Sequence, residues 1–342
     1  MIWLLASGAF IASFLITGGL RHVALRLQLL DVPNNRSSHA TPTPRGGGVA
    51  IVLVTLSALW ILWALGSLSM RVVVGLGAAG ASIAVIGLLD DRFGVRSGVR
   101  FVVHLTAAIW FAVWCSDVLR NLDTSPPGVI PVMWTVLMVV ALVWAVNLFN
   151  FMDGVDGLGG SQGFFVASLG SWLLLRADAS QGSGMLLAIV AAASAGFLVW
   201  NISPARIFLG DVGSGFLGFI LAAPLLLGSA ETHVPPPTWV ILWGVFLVDA
   251  SVTLLRRMAR GERWYQAHRS HAYQKLARRW SSHLRVTAAY LTINLLWLAP
   301  MAYWSVVRPD FAAVLAVAAL TPLVILVFLI GAGAQEADAR IG

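Results

Sequence analysis

Eleven apolar stretches of about 20 residues each run through the chain and leave little room for anything else. They fall near residues 2–20, 48–66, 70–89, 101–117, 129–149, 163–176, 183–200, 213–230, 237–255, 286–305 and 311–332. In hydrocarbon every backbone N–H and C=O must be bonded within the protein, and a helix does this inside one segment. The chain is therefore expected to be an all-α polytopic membrane protein with about eleven transmembrane helices. Of its 342 residues only 11% are charged, where a soluble domain has about 25%. The longest segment between spans is about 30 residues, which excludes a separate soluble catalytic domain. A single domain covering 1–342 has to do its chemistry with short loops and helix ends.

The basic residues orient this bundle. The first positive charge, Arg21, follows the first apolar stretch, so that stretch reads as a retained span starting outside, not a cleaved signal peptide. With that start, 18 of the 22 Lys and Arg fall on the inner side, and only Arg71, Arg120, Arg176 and Arg308 fall outside. Such a bias predicts a periplasmic N-terminus and a cytoplasmic C-terminus. The net charge of +7 is then an inner-face property, attractive to anionic headgroups and phosphorylated ligands. No folded nucleic-acid-reading module accompanies it, so nucleic acid is not an expected partner. The one cysteine, Cys115, lies in an apolar span, which excludes an internal disulfide.

Nine of the 15 acidic residues lie on the same predicted inner side. Asp90 and Asp91 close the third span, and two adjacent carboxylates repel unless basic loops or a divalent cation relieve them. At the exit of the fifth span Asn147, Asn150, Asp153 and Asp156 recur every three residues, near one helical face, and run into a glycine-rich turn. A polar stripe leaving an apolar span costs stability unless it has partners. Asp211, in Phe208-Leu-Gly210-Asp211-Val-Gly-Ser214, stands where it would cap the eighth span, whose N-terminal amides suit phosphate. No Lys follows, so this is not a Walker loop. Asp249 lies inside the ninth span, and either pairing with Arg256 and Arg257 or a ligand role would account for it.

Two loops complete the inventory. His268 and His271, three apart, would share a helical face and meet a phosphate or a metal, but no Glu stands in zincin spacing. The first inner loop is shaped by Pro33, Pro42, Pro44 and Gly46 to Gly48, and its Arg36 and Arg45 are suited to phosphate. Carboxylates for a cation and a basic clamp for phosphates thus gather on one face of a membrane bundle. Mg²⁺, which takes one or two carboxylates together with substrate phosphates, matches that set.

In this order and spacing, Pro33 to Gly48, Asp90-Asp91, Asn147 to Gly157, Phe208 to Ser214, and His268 to Gln274 resemble the polyprenyl-phosphate N-acetylhexosamine-1-phosphate transferases. These form glycosyltransferase family 4, which includes phospho-MurNAc-pentapeptide translocase. The stretch Asn35-Arg36-Ser37-Ser38-His39 and the form His-Arg-Ser-His-Ala-Tyr-Gln are most similar to the O-antigen-initiating branch, and the run of consecutive histidines of the translocase branch is missing.

The resemblance implies attack by a polyprenyl-phosphate oxygen on the β-phosphorus of a UDP-N-acetylhexosamine of GlcNAc, FucNAc or QuiNAc type. The products would be polyprenyl-diphospho-sugar and UMP, with Mg²⁺ required and Mn²⁺ as the alternative ion. Undecaprenyl phosphate is the implied acceptor and the bacterial inner membrane the implied location. Carried across motif by motif, Asp211 would ligate Mg²⁺, with Asp90 and Asp153 as further candidate ligands. Asp90 would orient or deprotonate the lipid phosphate, with Asp91 in support. Asn150, Asp153 and Asp156 would hold the nucleotide and its metal-bound phosphates, and His268 and His271 would contact the diphosphate or sugar. Arg36, His39, Arg45, Asn147, Gly210 and Ser214 complete the expected substrate-binding set, drawn from loops 21–47, 90–100, 150–162, 201–212 and 256–285. A homodimer is compatible with the resemblance. The competing class is a secondary transporter or lipid flippase, in which ionisable groups sit near mid-membrane; here all but Asp249 of the motif acids collect at one face.

Overall fold

The computed structural model describes residues 1–28, 30–31, 42–119, 130–177, 181–232, 234–262 and 268–334. In chain order the helices are α1 (Ile2–Arg26), α2 (Val49–Ala64), α3 (Met70–Phe93), α4 (Ser97–Trp114), α5 (Ser116–Leu119), α6 (Ile130–Met152), α7 (Leu158–Arg176) and α8 (Gln181–Asn201). They continue with α9 (Gly210–Thr232), α10 (Pro236–Leu242), α11 (Gly244–Ala259), α12 (Ala272–Trp280), α13 (His283–Ile293), α14 (Ala299–Val307) and α15 (Ala312–Ile330). A π-helical turn, Asn294–Leu298, joins α13 to α14 into one span. The only strands among the described residues, β1 (Leu30–Asp31) and β2 (Thr43–Pro44), pair antiparallel, with Leu30 opposite Pro44 and Asp31 opposite Thr43.

Nine helices among the described residues are long and apolar enough to cross a membrane, and the α10–α11 pair makes a tenth if taken as one bent span. The apolar α2, at 16 residues, accounts for the eleventh expected segment. Two expectations change. The sixth span is not short: α7 starts at Leu158, because Gly159 and Gly160 pack inside the bundle rather than forming a turn. The ninth is not continuous: it bends by 79° between α10 and α11. A break of that size exposes backbone carbonyls in apolar surroundings. Gln162 of α7 donates to the carbonyl of Leu242 at 3.3 Å, and Asn294 donates to Gln162 at 2.7 Å, so a buried polar chain serves the break.

α9 is the hub. Within its apolar window 89% of residues are buried, against 17% for α1 and 22% for α15, which therefore offer most of their surface to lipid. α3, α6, α7 and α8 pack around it. Small residues permit the approach: a Cβ on Gly218 would stand 2.5 Å from the carbonyl oxygen of Ala145, and one on Gly87 2.6 Å from the carbonyl carbon of Asp211. The ends of α3, α6, α8 and α11 and the starts of α2, α4, α7, α9 and α13 all lie on one side of the bundle by simple alternation, and that side carries the motif residues.

Candidate active site

α3 and α9 meet at Gly87 and bring three aspartates together. Asp91 serves backbone: its two carboxylate oxygens accept from the N–H groups of Asp211 at 2.9 Å and Val212 at 3.1 Å, capping the first turn of α9. This requires a sharp entry to the helix, and Gly210 supplies it with φ +78°, where a Cβ would also stand 2.6 Å from Asp91 Oδ2. With Asp91 seated, the Asp211 carboxylate projects beside that of Asp90, and the two lie within hydrogen-bond reach of each other.

Arg100, in the first turn of α4, bridges the pair. Its Nη1 makes a very short contact with Asp90 Oδ2 and lies 3.5 Å from Asp211 Oδ2. Asp90 also accepts from the N–H of Val95 at 2.6 Å, which ties it to the loop between α3 and α4. From the opposite wall Asn150, at the end of α6, donates to Asp211 Oδ1 at 2.9 Å and to Ser214 Oγ at 3.1 Å. Arg45, entering from β2, lies 3.3 Å from Asp91 Oδ1 and 3.8 Å from Asp31 Oδ2. Burial works against the Arg45 charge, but Asp211, Asp91, Asp31 and Asp153 outweigh it and raise its pKa above the ordinary arginine value.

Asp153 lies just past α6. Burial, helped by Asp91 and opposed by Arg45, pushes its carboxyl up to about 7. Four aspartates (90, 91, 153 and 211) therefore face two guanidiniums, those of Arg45 and Arg100. Two carboxylates in mutual contact and a third that holds its proton to neutral pH describe a site short of positive charge. An all-oxygen donor set of this kind suits a hard divalent cation. Among the described residues no three His, Cys, Asp or Glu side chains stand together as a group that could hold a metal ion.

An apolar cavity of about 700 Å³ runs along α6, between the later turns of α4 and α9 and the α10–α11 break. Leu137, Ala141, Trp144 and Leu148 of α6 form one wall, and Trp239 and Trp243 at the α10–α11 break form another. Its lining holds none of Asp90, Arg100, Asn150 or Asp211; Leu148, the lining residue of α6 nearest the cluster in the chain, stands two positions before Asn150.

α6 thus lines an apolar groove along its length and carries a member of the acidic cluster at its end. The family model for glycosyl transferase family 4 matches residues 73–229, which include Asp90, Asp91, Asn150, Asp153, Asp156 and Asp211. A decaprenyl-phosphate N-acetylglucosaminephosphotransferase of Mycobacterium tuberculosis is 30% identical over 324 residues, covering 86% of this chain and 79% of its own length. The chain belongs to glycosyl transferase family 4. A probable undecaprenyl-phosphate N-acetylglucosaminyl 1-phosphate transferase of Bacillus subtilis is also 30% identical, over 83% of this chain and 80% of its own. A phospho-N-acetylmuramoyl-pentapeptide-transferase of Halalkalibacterium halodurans is 28% identical over 75% of this chain and 81% of its own.

In this family 4 chain Asp90, Asp91, Asn150, Asp153, Asp211, Ser214, Gly210 and Arg45 come together as a cluster. Asn147 does not join it: its Nδ2 donates back to Val143 O, one turn earlier, at 2.7 Å. Asp91 is held by the α9 amides and Arg45, which makes it a builder of the site more than a neighbour of the lipid phosphate. Asp156 sits behind the cluster, 3.1 Å from His283 Nδ1 and accepting from Ala205 N at 3.1 Å. Burial works against its charge, but the bond from His283 and that residue's charge outweigh it and hold the carboxyl below its ordinary range.

His268 is part-buried, and burial, with His271 and Arg257 nearby, lowers its pKa to about 3, so it is a neutral imidazole. His271 is buried, with Nδ1 3.6 Å from Asp249 rather than facing the cluster. Arg36 and His39 lie outside the described residues. Sequence reasoning passed over Arg100, counted only as one inner-face charge just before the fourth span; α4 in fact starts at Ser97, which places Arg100 in its first turn beside two aspartates. It also passed over Tyr273, whose hydroxyl donates to Phe151 O at 3.0 Å, and His283; neither carried a local signal.

Proposed function

We propose that this chain transfers an N-acetylhexosamine-1-phosphate from a UDP-sugar to undecaprenyl phosphate at the cytoplasmic face of a bacterial inner membrane. The products are undecaprenyl-diphospho-sugar and UMP, which would begin a cell-envelope polysaccharide such as O-antigen. One observation carries the reading: α6 lines an apolar groove from Val132 to Leu148 and then ends in Asn150, which holds Asp211 in a cluster with Asp90 and Arg100. A phosphate head and an isoprenoid tail need two such environments in one bundle. The names of the relatives favour GlcNAc within the GlcNAc, FucNAc and QuiNAc group. The 18-to-4 division of basic residues favours the cytoplasm as the side on which loops 21–47, 90–100, 150–162, 201–212 and 256–285 form a single site.

In this mechanism an oxygen of the lipid phosphate attacks the β-phosphorus of the donor in line with the bridging oxygen. The new P–O bond joins lipid phosphate to sugar phosphate, the bond from Pβ to the bridging oxygen breaks, and UMP leaves with that oxygen. A phosphate monoester has a second pKa of about 6, so the acceptor is mostly dianionic at neutral pH and needs little base catalysis. Bound Mg²⁺ would be held by Asp211, with Asp90 or Asp153, and would neutralise the diphosphate. Arg100 then leaves its bridging role and meets phosphate, Asn150 keeps the Asp211 carboxylate aimed, and Arg45 holds Asp91 and with it the first turn of α9. Positioning and charge neutralisation are the main terms in such a transfer.

The test is UMP release by purified protein with undecaprenyl phosphate, Mg²⁺ and a panel of UDP-N-acetylhexosamines. Release with one donor, lost with EDTA and in Asp211→Asn, is expected. No release from folded protein with any donor would return the transporter reading to first place.

A further inference from the structure

Asp249 is the motif acid for which the transfer reaction has no use. It lies inside α11 with no exposed surface, yet Arg256 and Arg257 one to two turns on do not reach it. Arg256 donates to the carbonyl of Ala332 at 2.6 Å, and Arg257 pairs with Glu262 at 2.7 Å. The Asp249 carboxylate instead accepts four hydrogen bonds. Ala272 N at 2.8 Å and Tyr273 N at 3.0 Å are first-turn amides of α12, Tyr290 supplies its hydroxyl at 2.7 Å, and Thr253 supplies its own at 3.2 Å. His271 stands 3.6 Å away as a fifth polar neighbour. A buried carboxylate with this many donors is a fixed point, because moving any donor leaves a charge without compensation.

From that fixed point two contacts lead to the site. Tyr273, whose N–H is held by Asp249, extends its hydroxyl to Phe151 O, and Gly154 lies so close to that hydroxyl that no side chain fits there. The His271 ring stacks on Phe151 at 6.3 Å between centroids and sets the His268 ring at 4.8 Å. Residues 151–157, which carry Asp153 and Asp156, and the histidine segment are thereby joined across more than 100 residues of chain.

We infer that Asp249 is a positioning residue: it seats the start of α12 and, through Tyr273 and His271, sets the 151–157 segment and the His268 ring, which would meet the sugar nucleotide. The inference rests on the transferase reading for the identity of that ligand. The Asp90–Arg100–Asp211 group, carried by α3, α4 and α9, shares none of these contacts.

The test uses full-length protein carrying Asp249→Asn, which keeps the shape and removes the charge, and Tyr273→Phe, which removes only the link to Phe151. Loss of charge-assisted bonds at Asp249 is expected to raise the KM for the UDP-sugar about tenfold and to leave the KM for polyprenyl phosphate within about twofold. Tyr273→Phe should show a smaller shift in the same direction, and the double variant less than the product of the two. Hydrogen exchange should quicken in peptides covering 268–280 and 151–157 of Asp249→Asn and stay unchanged in 210–232. Two KM values that rise together, or unchanged exchange at 151–157, would overturn the inference. If the wild-type protein releases no UMP with any donor, the transferase reading fails, and exchange at 151–157 still decides whether Asp249 joins the two segments.

Discussion

Two groups of buried acid in this molecule behave in opposite ways. Asp249 is wholly enclosed, but two amides, two hydroxyls and a nearby imidazole leave its charge nothing to gain from a further partner. Asp90 and Asp211 are less enclosed and worse served, with one arginine between them and their carboxyl groups in contact. Burial alone therefore does not set the two apart. What distinguishes Asp90 and Asp211 is a donor count that falls short, which leaves them open to the cation and phosphate of the proposed reaction. The same contrast separates a transferase from a transporter here, since the single acid well inside a span is the one already saturated.

The largest effect should come from Asp211→Asn. In the proposed reaction that carboxylate would hold the cation, so UMP release is expected to fall by about 10³-fold or more, measured as kcat with both substrates saturating. Next is Arg100→Met, with a loss of about 10²-fold in kcat/KM and, in metal-free protein, a lower melting temperature as Asp90 and Asp211 lose their shared counter-ion. Magnesium should recover more of that stability in Arg100→Met than in the wild type. A smaller effect separates the two asparagines of α6. Asn150→Ala should cost about tenfold in kcat/KM, whereas Asn147→Ala, whose amide serves its own helix, should stay within about twofold.

The smallest effect concerns pH. The Asp156 carboxyl is held below its ordinary value of 3.8 in the folded protein. Its contribution to stability is therefore complete above pH of about 4 and is lost as pH falls through the lower folded value. A melting series from pH 6 to 3 should show a steeper acid decline in the wild type than in Asp156→Asn.

The sequence made the helices and the motif positions readable because apolar length and spaced polar residues are local properties. Asp90, Asp211 and Asn150 could be nominated from their own neighbours in the chain. Their partners could not. Arg100 meets Asp211 across 111 positions, His283 meets Asp156 across 127, and Tyr290 meets Asp249 across 41, so each pairing exists only once the bundle has closed. The break between α10 and α11 escaped for a similar reason. Nothing in Trp243-Gly244 forbids a straight helix, and the polar groups that meet the bend, Gln162 and Asn294, come from α7 and the π-turn. The glycines at 159 and 160 misled in the other direction, reading as a turn while Gly160 serves as contact surface for α8 and Gly159 packs against Asp153 and Leu209.

The most direct measurement sets the two acids side by side. Asp211→Asn and Asp249→Asn would be purified in parallel, shown to be folded, and assayed for UMP release while donor, acceptor and magnesium are each varied. The account predicts that Asp211→Asn releases essentially no UMP at any magnesium concentration, whereas Asp249→Asn recovers near wild-type kcat once the UDP-sugar is raised. Recovery of Asp211→Asn, or a loss in Asp249→Asn that no donor concentration repairs, would contradict it.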